Sequence, residues 1–250
     1  MLKILASILL LLLFFACSES QIKDESIVTS RNEYVFDSNR NRQIPIQIYS
    51  LSDSSQWNGE LVLLSAGYGS SNTEYTYITQ ELAKNGYYVI SIQHEIQTDE
   101  MLPSGDDIIQ LRTPNWNEGI KSIEQVLNYV KETNPIISTK KIHLIGHSNG
   151  GDISVLFAAR NPKKTLSLIT LDHRRMPIPL TKKFKTLSFR ADQFKADKGV
   201  FPPKKAQKEN GITVIELKNV DHNYLRDIAT EETKEKVLSA IFQFLDIEKK

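Results

Sequence analysis

Ile142-His143-Leu144-Ile145-Gly146-His147-Ser148-Asn149-Gly150-Gly151-Asp152-Ile153 is the stretch that decides how this chain is read. Ile142 to Ile145 is an apolar, strand-like run, and Ile153 to Arg160 is helix-like. Between them Ser148 has a glycine two places away on each side, Gly146 and Gly150, the pattern of a serine raised on a sharp strand-to-helix turn. The reason is steric. Such a turn strains the serine backbone and lifts its hydroxyl clear of the sheet, so only small residues fit where strand and helix come close. By itself the pattern arises by chance in roughly one chain in ten of this length. The surrounding sequence has to carry the argument.

Outward from that turn, short apolar runs alternate with amphipathic ones. Glu33 to Phe36 and Ile44 to Tyr49 read as a hairpin joined through residues 37–42, with Pro45 demoting the second to a short or edge strand. Leu61 to Leu64 reads as a buried strand, Thr73 to Lys84 as a helix closed by Asn85-Gly86, and Tyr87 to Ile92 as a strand. Residues 95–115 read as an irregular loop with one helical turn. Glu118 to Val130 places Ile120, Ile123, Val126, Leu127 and Val130 on one helical face. Strands follow at Leu166 to Leu171, Thr186 to Phe189 and Thr213 to Leu217, and Thr233 to Leu245 closes the chain as a helix. Such alternation predicts an α/β fold: a mostly parallel sheet after an N-terminal antiparallel hairpin, helices on both faces, one domain over residues 31–250.

The N-terminus reads differently. After Lys3 comes an apolar run from Ile4 to Phe15, too short to span a bilayer comfortably and suited to a signal-peptide core. Ala16 directly precedes the only cysteine, Cys17, which resembles a bacterial lipoprotein processing site. That resemblance implies a signal peptide over residues 1–16, lipidation of Cys17, a flexible tether over 17–30, and an exported, membrane-anchored protein of the cell envelope. A lone cysteine allows no intramolecular disulfide and no cysteine-built zinc site.

Composition excludes other classes. With 31 Lys+Arg against 30 Asp+Glu, no charge bias favours nucleic acid, and Lys182-Lys183 and Lys204-Lys205 read as solvated surface. No phosphate-binding loop, dinucleotide fingerprint or metal-ligand spacing occurs, so neither cofactor nor metal is expected. No feature sets an oligomeric state.

A serine hydroxyl is a poor nucleophile unless a base takes its proton. Of the five histidines, His143 lies in the strand before the turn, His147 neighbours Ser148, and His94 ends an earlier strand. His222 follows the last strand on a loop before the final helix, where sites form in open parallel sheets. Asp172 and Asp192 both sit at strand ends between Ser148 and His222, and either satisfies the order serine, acid, histidine. Asp197 lies deeper in a loop, and Asp221 adjoins His222, from which its side chain diverges. For an oxyanion the candidate donors are the backbone N–H groups of Asn149 and Tyr68, the latter in Ser65-Ala66-Gly67-Tyr68-Gly69.

These residues, with Ser91-Ile92-Gln93-His94-Glu95 and Leu171-Asp172, make the chain similar to the α/β-hydrolases, most of all platelet-activating-factor acetylhydrolases and dienelactone-hydrolase-like esterases. The resemblance implies a serine ester hydrolase acting on a small-molecule ester through an acyl-enzyme. Ser148 is then the nucleophile and His222 the base, with Tyr68 and Asn149 as oxyanion donors. Carried over from the acetylhydrolases the acid is Asp172, which is preferred; carried over from cutinase-like relatives it is Asp192. Ala66 departs from the family, which usually has a histidine before the oxyanion glycine. Residues 173–184 are too few for a large lid, which implies an open site. Two other readings remain: the same machinery on a peptide, amide or thioester, and an inactive surface-anchored binding protein on the same scaffold.

Overall fold

The computed structural model describes residues 27–248. The signal segment, Cys17 and the first part of the tether lie outside the described residues. Strands β1 (Val28–Asp37), β2 (Arg42–Leu51), β3 (Leu61–Ser65), β4 (Tyr88–Ile92), β5 (Ile142–His147), β6 (Thr165–Leu171), β7 (Lys185–Ala191) and β8 (Ile212–Leu217) form one sheet in the order β1-β2-β4-β3-β5-β6-β7-β8. β1 and β2 pair antiparallel, as do β2 and β4; every other neighbouring pair is parallel. The helices are α1 (Thr76–Lys84), α2 (Ile108–Thr133), α3 (Ser148–Arg160), α4 (Lys204–Glu209) and α5 (Glu231–Phe244).

The buried strands β3 and β4 face apolar surroundings on both sides, and alternate residues sort into two cores. Leu61 and Leu63 pack with Trp116, Ile123 and Val126 of α2 and Ile153 and Phe157 of α3. Val62 and Leu64 pack with Ile78 and Leu82 of α1 and Val237 and Ile241 of α5. Each such side chain, fully buried, contributes about 1.5–3 kcal/mol. Helices therefore lie on both faces, as expected.

Three expectations are corrected. β1 begins at Val28, opposite Leu51, so residues 28–30 belong to a strand rather than to the tether; their exposed, polar character is that of an edge strand. β2 is a ten-residue inner strand despite Pro45. The Pro45 carbonyl accepts from Gln93 N–H, so its nitrogen turns toward β4 just beyond the Ile46–Tyr49 ladder, where no donor is needed. α2 starts ten residues earlier than the apolar face suggested and runs through Pro114; Lys204 and Lys205 are exposed, as read from sequence, on the short helix α4. Trp116, fully buried two residues after the proline, anchors that part of α2.

Register places the site. Ser65 pairs with Gly146, Gly146 with Thr170, and Leu171 with both His147 and Phe189. The carboxyl ends of β3, β5, β6 and β7 are therefore level, and the segments that leave them meet.

Candidate active site

Ser148 has φ of 52°, a left-handed backbone that costs a non-glycine residue about 1–2 kcal/mol. Neighbouring atoms explain how the turn closes. A Cβ on Gly146 would lie 2.4 Å from the Gly150 carbonyl oxygen, and one on Gly150 would lie 2.3 Å from the carbonyl oxygens of Ser65 and Ala66. Any side chain at either position would push α3 off β5 and β3. The spacing of glycines around Ser148 is thus a packing requirement of the strained turn, which leaves Ser148 partly exposed while its neighbours are buried.

His222 lies in a short 3₁₀ turn after β8. Its Nε2 is 2.8 Å from Ser148 Oγ, and its Nδ1 is 2.5 Å from Asp172 Oδ2. Because Nδ1 faces a carboxylate it carries the proton, leaving Nε2 to accept from the serine hydroxyl. Asp172 is fully buried and, like Ser148, left-handed, with φ of 50°. Its other oxygen accepts from Ala191 N–H at 3.1 Å and pairs with the Arg190 guanidinium. Burial lowers the pKa of Arg190, while the Asp172 charge raises it. Asp192 is not in this constellation. Its carboxylate accepts from Asn219 N–H at 2.8 Å and so braces the loop that carries His222. Asp197 pairs with Arg175.

Of the other histidines, His143, His147 and His173 are hydrogen-bonded through both ring nitrogens, whereas among the described residues neither ring nitrogen of the buried His94 has a partner. Burial pushes His94, His147 and His173 down to about 3, and lowers His143. His147 bears on the site nonetheless. Its ring lies 4.8 Å from that of His222, and its Nε2 donates to the His222 carbonyl at 3.1 Å. Its Nδ1 then accepts from Tyr75 Oη at 2.9 Å, and Tyr75 Oη accepts from Gly67 N–H at 3.0 Å. A buried chain of hydrogen bonds thus ties the loop of His222 to the loop of Gly67 and Tyr68.

The two proposed oxyanion donors belong to the loop that leaves β3 and to the first turn of α3. A Cβ on Gly67 would lie 3.4 Å from Ser148 Cβ, which puts the loop preceding Tyr68 against the serine. Asn149 occupies the first turn of α3, whose N–H groups have no intrahelical acceptor. Among the described residues neither the Tyr68 nor the Asn149 N–H meets an acceptor, whereas that of Gly67 does. The Asn149 side chain is locked: its Nδ2 donates to Glu95 Oε1 at 2.9 Å and Asn115 Oδ1 at 3.0 Å, and its Oδ1 accepts from Trp116 Nε1 at 2.8 Å. Burial raises the Glu95 carboxyl above its usual range.

Sequence reasoning named Ser148, His222, Asp172, Tyr68 and Asn149, but missed Arg190, Tyr75, Asn115 and Trp116. A charge at the end of the apolar strand β7 was a signal for Arg190; the others carry none in sequence. Among the described residues no group of three or more potential ligands is placed to hold a metal ion.

Residues 58–171 match the family model for serine aminopeptidases, S33. No curated protein matches the chain by sequence. Among solved structures, it is similar to a dienelactone hydrolase-like promiscuous phosphotriesterase from metagenomic libraries, with 13% identity and a TM-score of 0.65 over 88% of this chain and 98% of that one. A putative dienelactone hydrolase from Klebsiella pneumoniae subsp. pneumoniae MGH 78578 has 10% identity and a TM-score of 0.59 over 89% and 100%. The dienelactone hydrolase from Anabaena variabilis ATCC 29413 has 16% identity and a TM-score of 0.58 over 88% and 97%. At these identities the likeness is one of fold. Taken with the family match over residues 58–171 and the strand order, it shows that the chain has the α/β-hydrolase fold.

Proposed function

We propose that the protein is a serine hydrolase that cleaves carboxylic esters through an acyl-enzyme. One observation carries the reading: Ser148 Oγ, both nitrogens of His222 and Asp172 Oδ2 form an unbroken line of hydrogen bonds at 2.8 and 2.5 Å. Ser148 attacks the ester carbonyl as His222 Nε2 takes its proton, and Asp172 stabilises the imidazolium. The developing oxyanion is received by the Tyr68 and Asn149 N–H groups, neither of which has an acceptor among the described residues. His222 returns its proton to the leaving alkoxide. Water, activated by the same imidazole, then releases the acid and restores Ser148.

Fluorophosphonate labelling tests the nucleophile, and turnover of short-chain nitrophenyl esters tests the bond. Labelling should occur in the wild-type protein and vanish in Ser148→Ala; a folded wild-type protein that does not label overturns the reading. The serine aminopeptidase match favours one second reading, cleavage of an N-terminal peptide bond by the same residues. Aminoacyl nitroanilides tested beside the esters separate the two. We further propose export and lipidation at Cys17, which metabolic labelling with a fatty-acid analogue, lost in Cys17→Ser, would test.

A further inference from the structure

The amino ends of the parallel strands, opposite Ser148, carry unpaired positive charge. Register makes those ends level: Leu61 pairs with both Tyr88 and Ile142, Ile142 with Thr165, Ser167 with Lys185, and Thr186 with Ile212. Lys140 and Lys141 stand directly before β5, and Lys163 and Lys164 directly before β6. Lys182, Lys183 and Lys185 mark the start of β7. All seven are exposed, and among the described residues none forms an ion pair. The acids lining the hollow beside Lys182, Lys183 and Lys185 are Glu60, Glu209 and Asp246, and Glu60 already meets His143. Seven lysines against these three carboxylates leave this end positive. At the carboxyl ends, by contrast, Arg175, Arg190 and Arg226 each pair with a carboxylate.

The chain enters the fold at the same end. Val28 lies opposite Leu51 and Tyr49 opposite Val89, so β1 begins level with the start of β4. Ile27 stands at that entry, 67% exposed. Ile136, 64% exposed, lies in the turn from α2 to β5, which Ser138 N–H fastens to the Gly59 carbonyl just before β3. Exposed apolar side chains at an end rich in unpaired lysines suit the headgroup region of a bilayer. There lysines attract anionic lipid and apolar side chains enter the acyl boundary.

The ten residues from Cys17 to Ser26 can reach at most about 35 Å when extended. A lipid on Cys17 therefore keeps the amino ends close to the membrane. Ser148 follows the far end of the six-residue strand β5, about 20 Å further away.

We infer that the amino ends of the strands form a docking surface for an anionic lipid bilayer, and that Ser148 faces away from the membrane, toward water. The outward orientation rests on the lipidation proposed at Cys17, whereas the surface can be measured without it.

Sedimentation with vesicles tests the surface in the full chain carrying Cys17→Ser, which no acyl chain anchors. Vesicles of phosphatidylcholine and phosphatidylglycerol, about two to one, should bind it at least about tenfold more tightly than phosphatidylcholine alone. The difference should shrink as salt is added. Lys141→Gln/Lys164→Gln/Lys185→Gln should weaken binding by about tenfold or more, since each lysine near an anionic surface contributes about fivefold. Lys195→Gln/Lys198→Gln/Lys218→Gln removes the same charge from segments that leave the carboxyl ends. It should change binding by less than about twofold, because those ends lie beyond a Debye length from the bilayer. Thermal melting checks that both variants fold. Equal binding to the two vesicle types, or equal losses in the two variants, overturns the docking surface.

Orientation has its own readout, because without Cys17 the chain has no cysteine. An environment-sensitive fluorophore on Ile136→Cys should shift to the blue when vesicles bind, and the same fluorophore on Lys195→Cys should not. A shift at Lys195→Cys, or at neither position, overturns the proposed orientation. Docking of the expected kind without a fluorophosphonate label on Ser148 supports the surface and removes the esterase, so the two readings fail separately.

Discussion

Two sets of serine, histidine and carboxylate occupy opposite ends of one sheet. At the carboxyl end stand Ser148, His222 and Asp172. At the amino end His143 Nδ1 lies 2.8 Å from Ser167 Oγ, and its Nε2 lies 3.1 Å from Glu60 Oε2. The serine contacts are both 2.8 Å, but the carboxylate contact is 2.5 Å at His222 and 3.1 Å at His143, and the ring nitrogens that meet serine and acid are exchanged, so composition alone does not separate the two sets. Presentation does. Ser148 has a left-handed backbone at the start of a helix, with two unengaged N–H groups beside it. Ser167 lies within strand β6, paired with His143 just past a register shift between β5 and β6, and with Lys185 of β7. The acids differ as well: Asp172 is fully buried and fixed by Arg190, whereas the Glu60 side chain is 45% exposed. On the function proposed above, a serine–histidine–carboxylate set is reactive where the fold raises the serine, dries the acid and leaves donors free for the oxyanion.

The sharpest way to break this contrast is to remove each serine. Ser148→Ala should lower kcat on short-chain esters by on the order of a million-fold, as loss of a nucleophile does. Ser167→Ala should keep turnover within a few-fold, with fluorophosphonate labelling intact. The acids come next. Asp172→Asn should cost about 10⁴-fold in kcat, because an amide leaves the imidazole in the wrong tautomer. Glu60→Gln should leave kcat unaltered. Asp192→Asn should have a small effect, since that carboxylate only braces the Asn219 backbone. If Asp192→Asn proves the more damaging, the assignment of the acid is wrong.

A smaller effect probes how the carboxyl end is held together. Tyr75 is fully buried, and its hydroxyl, pushed up to about 12 by burial, both accepts from Gly67 N–H and donates to His147. Tyr75→Phe keeps the ring but releases both contacts, which loosens the oxyanion loop relative to His222. We expect a loss of about tenfold in kcat, less than the direct loss of an oxyanion donor. Binding of a boronic acid analogue of the tetrahedral state should weaken in parallel, while KM stays nearly constant. A raised KM with unaltered kcat would place Tyr75 in substrate binding instead.

Much of the carboxyl end was legible in sequence because steric demands write themselves into residue type. Only small residues survive at Gly146 and Gly150, so the turn announces itself. His222 was legible through topology, since it follows the last parallel strand. The choice between Asp172 and Asp192 was not, because both end a strand and only tertiary pairing decides which one meets the imidazole. Pro114 hid the start of α2 for a related reason. A proline weakens a helix locally, and burial of Trp116 two residues later outweighs that loss only once the sheet is in place. Pro45 misled in the same way, because whether a missing donor matters depends on how far the neighbouring strand extends.

The amino-end set should reveal itself in stability rather than activity. Burial lowers the pKa of His143, while its hydrogen bond to Glu60 and the Glu60 charge act in the other direction. A folded pKa below the unfolded one means that the unfolded chain binds more protons in between. Stability is therefore fully present above the ordinary imidazole value of about 6.5 and is lost as pH falls below it. His94, His147 and His173, each pushed down to about 3, share that sign. Urea midpoints should accordingly drop between about pH 7.5 and pH 5.5 in the wild-type protein. Ser167→Ala strands His143 Nδ1 without its partner and should cost about 1 kcal/mol at neutral pH. Glu60→Gln should steepen the acid sensitivity, since it removes the one group that favours a charged His143. An acid response unmoved by Glu60→Gln, or ester turnover lost along with it, would end the division between a working relay and a structural one.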